Sequence, residues 1–112
     1  MRYHLPKHVA EARLSEELRR TVRLAAKLCR DGHPGVAATG LCNVAEVYES
    51  REDPKAQVFY RVAARLFSKA AQKFSKRGKL HFALFSAQDS IEATRKSLPK
   101  SVRPYFFVYL LN

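Results

Sequence analysis

Apolar positions recur every three or four residues along most of this chain, and that period predicts helices. Leu18, Thr21, Val22, Ala25, Leu28 and Cys29 share one helix face. Ser15, Glu16 and Glu17 read as the start of that helix, with a hydroxyl to cap it and acids where the macrodipole favours negative charge. Residues 1–14 are then an arm or a short helix. Asp31 and Gly32 end the first helix, because glycine takes the left-handed C′ conformation without a penalty. Past the turn at His33, Pro34 and Gly35, a second stripe runs through Ala37, Leu41, Val44, Ala45 and Tyr48. A polar break at 50–54 follows. Phe59, Ala63, Leu66, Phe67, Ala70 and Phe74 predict a third helix over 55–76, closed by Arg77 and Gly78. The fourth spans about 80–97, with Phe82, Ala83, Ala87 and Ile91 turned inward and Leu98 and Pro99 as the stop. A linker at 100–104 leads to an apolar end, 105–111, read as a capping fifth helix or strand, or as a segment that docks on a partner subunit. No period-2 run of any length appears elsewhere. The pattern predicts one all-α domain of two stacked antiparallel helical hairpins, 15–49 and 54–98, hence four main helices, with the short C-terminal segment 99–112 docking or capping.

Shifting the chain by 46 residues aligns it with itself. Arg19 meets Arg65, Ala25 meets Ala71, Lys27 meets Lys73, Gly32 meets Gly78, Ala37 meets Ala83 and Glu46 meets Glu92. Each hairpin is too small to bury its apolar face alone, so two equivalent hairpins should share a core. In the second hairpin large and small apolar residues alternate: Phe67, Ala70, Ala71 and Phe74 precede Gly78, and Ala83, Ala87, Ser90 and Ile91 follow it, then Pro99. Residues 64–99 therefore resemble a tetratricopeptide-type repeat. That resemblance implies a protein-binding scaffold and carries no catalytic residues.

Charge changes the picture. The 112 residues hold 21 Lys and Arg against 10 Asp and Glu, a net charge of +11. The excess is uneven. Lys55, Arg61, Arg65, Lys69, Lys73, Lys76, Arg77 and Lys79 lie in a stretch, 54–88, that contains no acid. Arg61, Arg65, Lys69 and Lys73 recur at i, i+4 and predict a ridge on the third helix, away from Phe59, Leu66, Ala70 and Phe74. Like charges at that spacing cost about 0.2–0.5 kcal/mol per pair in an isolated helix, and neutralisation by a polyanion returns it. Arg19, Arg23, Lys27 and Arg30 echo the ridge on the first helix. The alternative is a solvated face that serves solubility. Tyr60 flanks the ridge as a candidate for stacking on bases, while Phe59, Phe67 and Phe74 read as core.

The remaining chemistry is sparse. Cys29 and Cys42 read as free thiols of a reducing compartment, with a mutual bridge possible only if their helices face each other. His4 and His8 share helical spacing, but no Glu or Cys completes a metal set with them. No Gly-rich phosphate loop is present, and Glu46, Glu49, Glu52 and Asp53 suit pairing with neighbouring cations better than acid–base work. No stretch reaches the length of a bilayer span. The first 30 residues carry eight cations against three Glu, which leaves the cytosol and the mitochondrial matrix open. The expected function is a non-enzymatic scaffold or adaptor subunit of a larger assembly, without cofactor, metal or small-molecule substrate. Arg61, Arg65, Lys69, Lys73, Lys76, Arg77 and Lys79, with Arg19, Arg23 and Lys27, would hold an acidic or phosphate-bearing partner. Tyr105, Phe106, Phe107, Tyr109 and Leu110 would dock on a neighbour. RNA binding within a ribosomal or organellar ribonucleoprotein is the alternative, and an anionic membrane surface fits less well.

Overall fold

The computed structural model describes residues 6–111, and of 109–111 the backbone alone. Helix α1 is Lys7–Arg30, α2 Pro34–Ser50, α3 Lys55–Lys76 and α4 Leu80–Lys96; a 3-10 turn, Arg103–Tyr105, leads into the short α5, Phe106–Leu111. No strand occurs among the described residues. Each long helix packs on the next in sequence, α1 on α2, α2 on α3 and α3 on α4. The result is two stacked antiparallel hairpins in an all-α, repeat-like array. Its radius of gyration is 16.3 Å, against about 13 Å for a compact chain of this length. The array is open because burial comes from sequential neighbours alone.

The 46-residue repeat reappears in the helix bounds. Helices α1 and α3 end at Arg30 and Lys76, and α2 and α4 begin at Pro34 and Leu80 and end at Ser50 and Lys96. The two hairpin turns also share one hydrogen-bond pattern. The His33 and Lys79 amides reach back to the Leu28 and Phe74 carbonyls, while Gly32 and Gly78 bond Cys29 and Ser75. That is the Schellman arrangement, which needs a left-handed residue at C′, and the two glycines have φ of 88° and 73°. The turn between the hairpins repeats the pattern, with Asp53 bonded to the Tyr48 carbonyl and Glu52 at φ 55° where glycine would be unstrained.

Two expectations change. Helix α1 starts at Lys7, not at Ser15. Residues 10–14 are good helix formers with no breaker among them, so propagation adds one bond per residue straight through Ser15. The inward face of α4 is also different. Phe82 and Ile91 are exposed, and Ser86, Ala93 and Ser97 are buried instead. Ser90 Oγ donates to the Ala64 carbonyl at 2.8 Å. Small side chains bring α4 close to Ala63 and Ala64 of α3, which a bulky residue at those positions would prevent. The main core gathers Ala25, Ala37, Ala38, Leu41, Ala63, Ala64, Phe67 and Ala93.

Arg103 ties the C-terminal segment to the helices. The Arg103 guanidinium forks onto both Glu49 carboxylate oxygens at 3.1 and 3.2 Å, and donates to the Leu98 and Lys96 carbonyls at 3.0 and 2.8 Å. It thus caps the end of α4 and ties the segment to α2. Beyond it Phe106 is buried, while Tyr105 and Phe107 are exposed.

Candidate functional site

The long helices differ sharply in charge. Helix α1 carries seven cations against three acids and α3 six against none. Helix α2 has two acids and no cation, and α4 two of each. The odd-numbered helices therefore hold the whole positive excess of the array.

On α3, Ala56, Tyr60, Ala63, Ala64, Phe67 and Ala70 face the core. Arg61, Arg65, Lys69 and Lys76 are exposed on the opposite side, and among the described residues none has a carboxylate within ion-pair distance. Arg77 and Lys79 extend the same uncompensated charge into the turn, also exposed. Lys55, at the other end, sits over the Tyr48 ring at 5.6 Å.

Lys73 leaves the ridge. Its Nζ donates to the Gly32 carbonyl in the turn of the first hairpin. The reason is geometric. Residues spaced i, i+4 advance about 40° beyond a full turn at each step, so four of them wind about 120° around the helix. Lys73, the fourth, reaches the flank that meets the first hairpin. Lys76, three residues on, swings back into line with Arg65 and Lys69. Lys73 also lines a cavity of about 340 Å³ with Gly32, His33, Val36, Phe74 and Arg77 among its walls.

Tyr60 is not a stacking platform. It is 2% exposed, and Lys96 lies 5.7 Å from its ring centroid. Burial, followed by the nearby charge of Glu49, pushes its phenol well above the usual range. It stands about 100° around the helix from Arg61 and packs in the core with Ala56 and with Ala45 of α2. The residues that do interleave with the ridge are apolar: Val58 and Val62 are exposed on the same face. Hydrophobic periodicity passes over them, because two valines off the core stripe carry no periodic signal of their own.

The echo on α1 is partly compensated. Arg19 and Arg20 approach Glu16 at 4.0 and 3.9 Å, while Arg23 and Lys27 are exposed and have no acid partner among the described residues. Of the acidic cluster, among the described residues, Glu49 alone has a cation within ion-pair distance. The Arg103 hydrogen bonds hold its carboxyl below the usual range, with Lys100 adding charge at 4.0 Å. Asp53 instead accepts the Lys55 amide at 2.9 Å, at the start of α3. Sequence reading missed the Glu49–Arg103 clasp, since 54 residues separate the partners and only the fold joins them.

Cys29 and Cys42 are both free and half-buried. Burial pushes the Cys42 thiol up, so it holds its proton more firmly than an exposed one. Among the described residues no three His, Cys, Asp or Glu gather as a metal-ligand set, and His4 lies outside those residues. No described helix is long and apolar enough to cross a membrane. Of the docking segment, Tyr105 and Phe107 present their rings to solvent and Phe106 does not; the Tyr109 and Leu110 side chains lie outside the described residues. Comparison with protein-family models, with curated proteins and with solved structures finds no match for this chain.

Proposed function

We propose that this protein is a non-catalytic helical-hairpin scaffold that holds an acidic or phosphate-bearing partner on the outer face of α3. The observation that carries the reading is the unpaired row Arg61, Arg65, Lys69 and Lys76, exposed on a helix with no acid. Such a row repels itself, and a partner's carboxylates or phosphates relieve that repulsion. The stacked hairpins resemble tetratricopeptide scaffolds in form and in their alternation of Phe and Ala along α3. Val58 and Val62 within the ridge favour an acidic protein surface, which offers apolar atoms between its charges. RNA remains the alternative through its phosphates. With Tyr60 buried, no aromatic of α3 is left beside the ridge to stack on bases. Free, half-buried thiols suit a reducing compartment, whether cytosol or mitochondrial matrix.

The test is co-purification of the full chain from its source cell, with and without nuclease, beside the double reversal Arg65→Glu and Lys69→Glu. An acidic protein partner stays after nuclease and is lost on charge reversal, and its affinity falls as salt rises. Loss on nuclease treatment would move the assignment to RNA. Binding that survives the reversal would remove the ridge from the site.

A further inference from the structure

The two sides of α4 are unlike. The side against α3 is mostly small and hydroxylated, with Ser86, Ser90, Ala93 and Ser97, and Phe82 meets the Phe74 ring at its N-terminal end. The large apolar residues point away, with Leu80 68%, Leu84 56% and Ile91 47% exposed. With the half-buried Ala87 they stand at intervals of four, three and four residues, the spacing of a helix-pairing seam.

The repeat identifies what this seam is for. Moved back by 46 residues, Leu84, Ala87 and Ile91 fall on Ala38, Leu41 and Ala45, all buried in α2. On α2, α3 packs as the next helix of the array. The seam on α4 is thus the continuation of an interface the fold already uses once, and among the described residues no following helix packs along it. Helix α5 has six residues, about 9 Å of length, and the seam from Leu80 to Ile91 runs about 16 Å. The Arg103 clasp moreover holds the segment that leads into α5 against α2. A second copy cannot continue the array head to tail. Where α3 has Phe59, Ala63 and Leu66, α1 has Arg13, Glu17 and Arg20 at the equivalent positions, all exposed.

We infer that α4 forms a two-fold homodimer interface, in which the seam of one copy packs antiparallel on the same seam of a second. The spacing is its own complement when reversed: Leu80 meets Ile91 of the second copy, and Leu84 meets its Ala87. Large and small residues then interdigitate on both sides of the axis. Charge leaves the same surface open. A protein of net charge +11 resists self-association, but residues 80–94 contain no Lys or Arg. The ridges lie one helix further back, so in the dimer they stand about three interhelix spacings apart, or about 27 Å. Screening acts over about 8 Å at physiological ionic strength.

Analytical ultracentrifugation of the full chain tests this. The wild-type chain should be a reversible dimer that persists in molar salt. Leu84→Glu with Ile91→Glu should weaken the dimer at least tenfold while the far-ultraviolet dichroism stays helical, because both positions are exposed. If that variant loses helicity, disulfide exchange decides. Chains carrying Leu84→Cys mixed with chains carrying Ala87→Cys should cross-link to each other more readily than either does to itself, above the background of the wild-type cysteines. A wild-type monomer at the highest soluble concentration would give the seam to a different protein and overturn the proposal. So would a dimer that survives the double substitution, a dimer dissolved by salt, or cross-links that form like with like or not at all.

Discussion

Gly32 and Gly78 occupy equivalent turns, yet their surroundings differ. Both need a left-handed backbone, which costs an L-residue about 1–2 kcal/mol. A Cβ at Gly78 would meet nothing within 4 Å, whereas one at Gly32 would lie 3.2 Å from Lys73 Nζ. Gly78→Ala should therefore lower stability by about 1 kcal/mol, and Gly32→Ala by about 2 kcal/mol because it also displaces the lysine. Thermal melts of the two variants, at about 5 °C per kcal/mol, would show the difference. Both glycines were legible as helix ends from the sequence alone. The extra burden on Gly32 was not, because it comes from a side chain 41 residues away. Glu49 carries a pH dependence of definite sign. Arg103 holds its folded-state pKa below the unfolded value. The stabilisation is then complete above the ordinary carboxylate range and is lost as pH falls through the folded-state value. Glu49→Gln should cost about 1 kcal/mol at neutral pH. The cost should disappear in acid, so the stability curves of wild type and variant converge there.

At the level of helices, the informative case is α4. Its apolar residues fall on two sides, and period alone favours the side with the larger ones. The fold instead places the small side against α3, where close approach of the two helices leaves no room for Ile91, while Phe82 tilts against the Phe74 ring at the edge of the contact. Ala93 is 3% exposed in that contact. Ala93→Leu should force the helices apart and cost about 1–3 kcal/mol. A leucine placed at Ser68, exposed on α3, should stay within about 0.5 kcal/mol of the parent. Chemical denaturation of the two variants separates overpacking from a general intolerance of added bulk. Helix α3 was easier to read, since it has one dominant apolar face, and α2 is apolar enough to be buried between α1 and α3. Only the start of α1 shifted, as helical propensity carried through a serine that resembles a cap.

Across the whole molecule, the distribution of charge matters more than its sum. The array spans 52 × 36 × 24 Å, with the cationic excess on α1 and α3 and a core composed largely of alanine. Such a core contributes little apolar area per residue, so repulsion along α3 weighs heavily against it. Added salt screens that repulsion, and a bound polyanion removes it. The melting temperature of the free protein should rise by several degrees between low and moderate salt. Charge reversal at Arg65 and Lys69 should flatten that rise, as read by calorimetry across a salt series.

Taken by itself, the sequence determined the helices, the 46-residue repeat, the turns and the acid-free cationic stretch. Each of these is written in neighbouring residues through helical period, glycine conformation or local charge. The tertiary structure decided which face of α4 is buried, that Lys73 turns from the ridge to the Gly32 carbonyl, that Tyr60 lies in the core, and that Arg103 closes on Glu49. Those outcomes depend on how closely two helices approach and on how far an i, i+4 row winds around its axis. Both are properties of helices placed against one another, and no single helix encodes them.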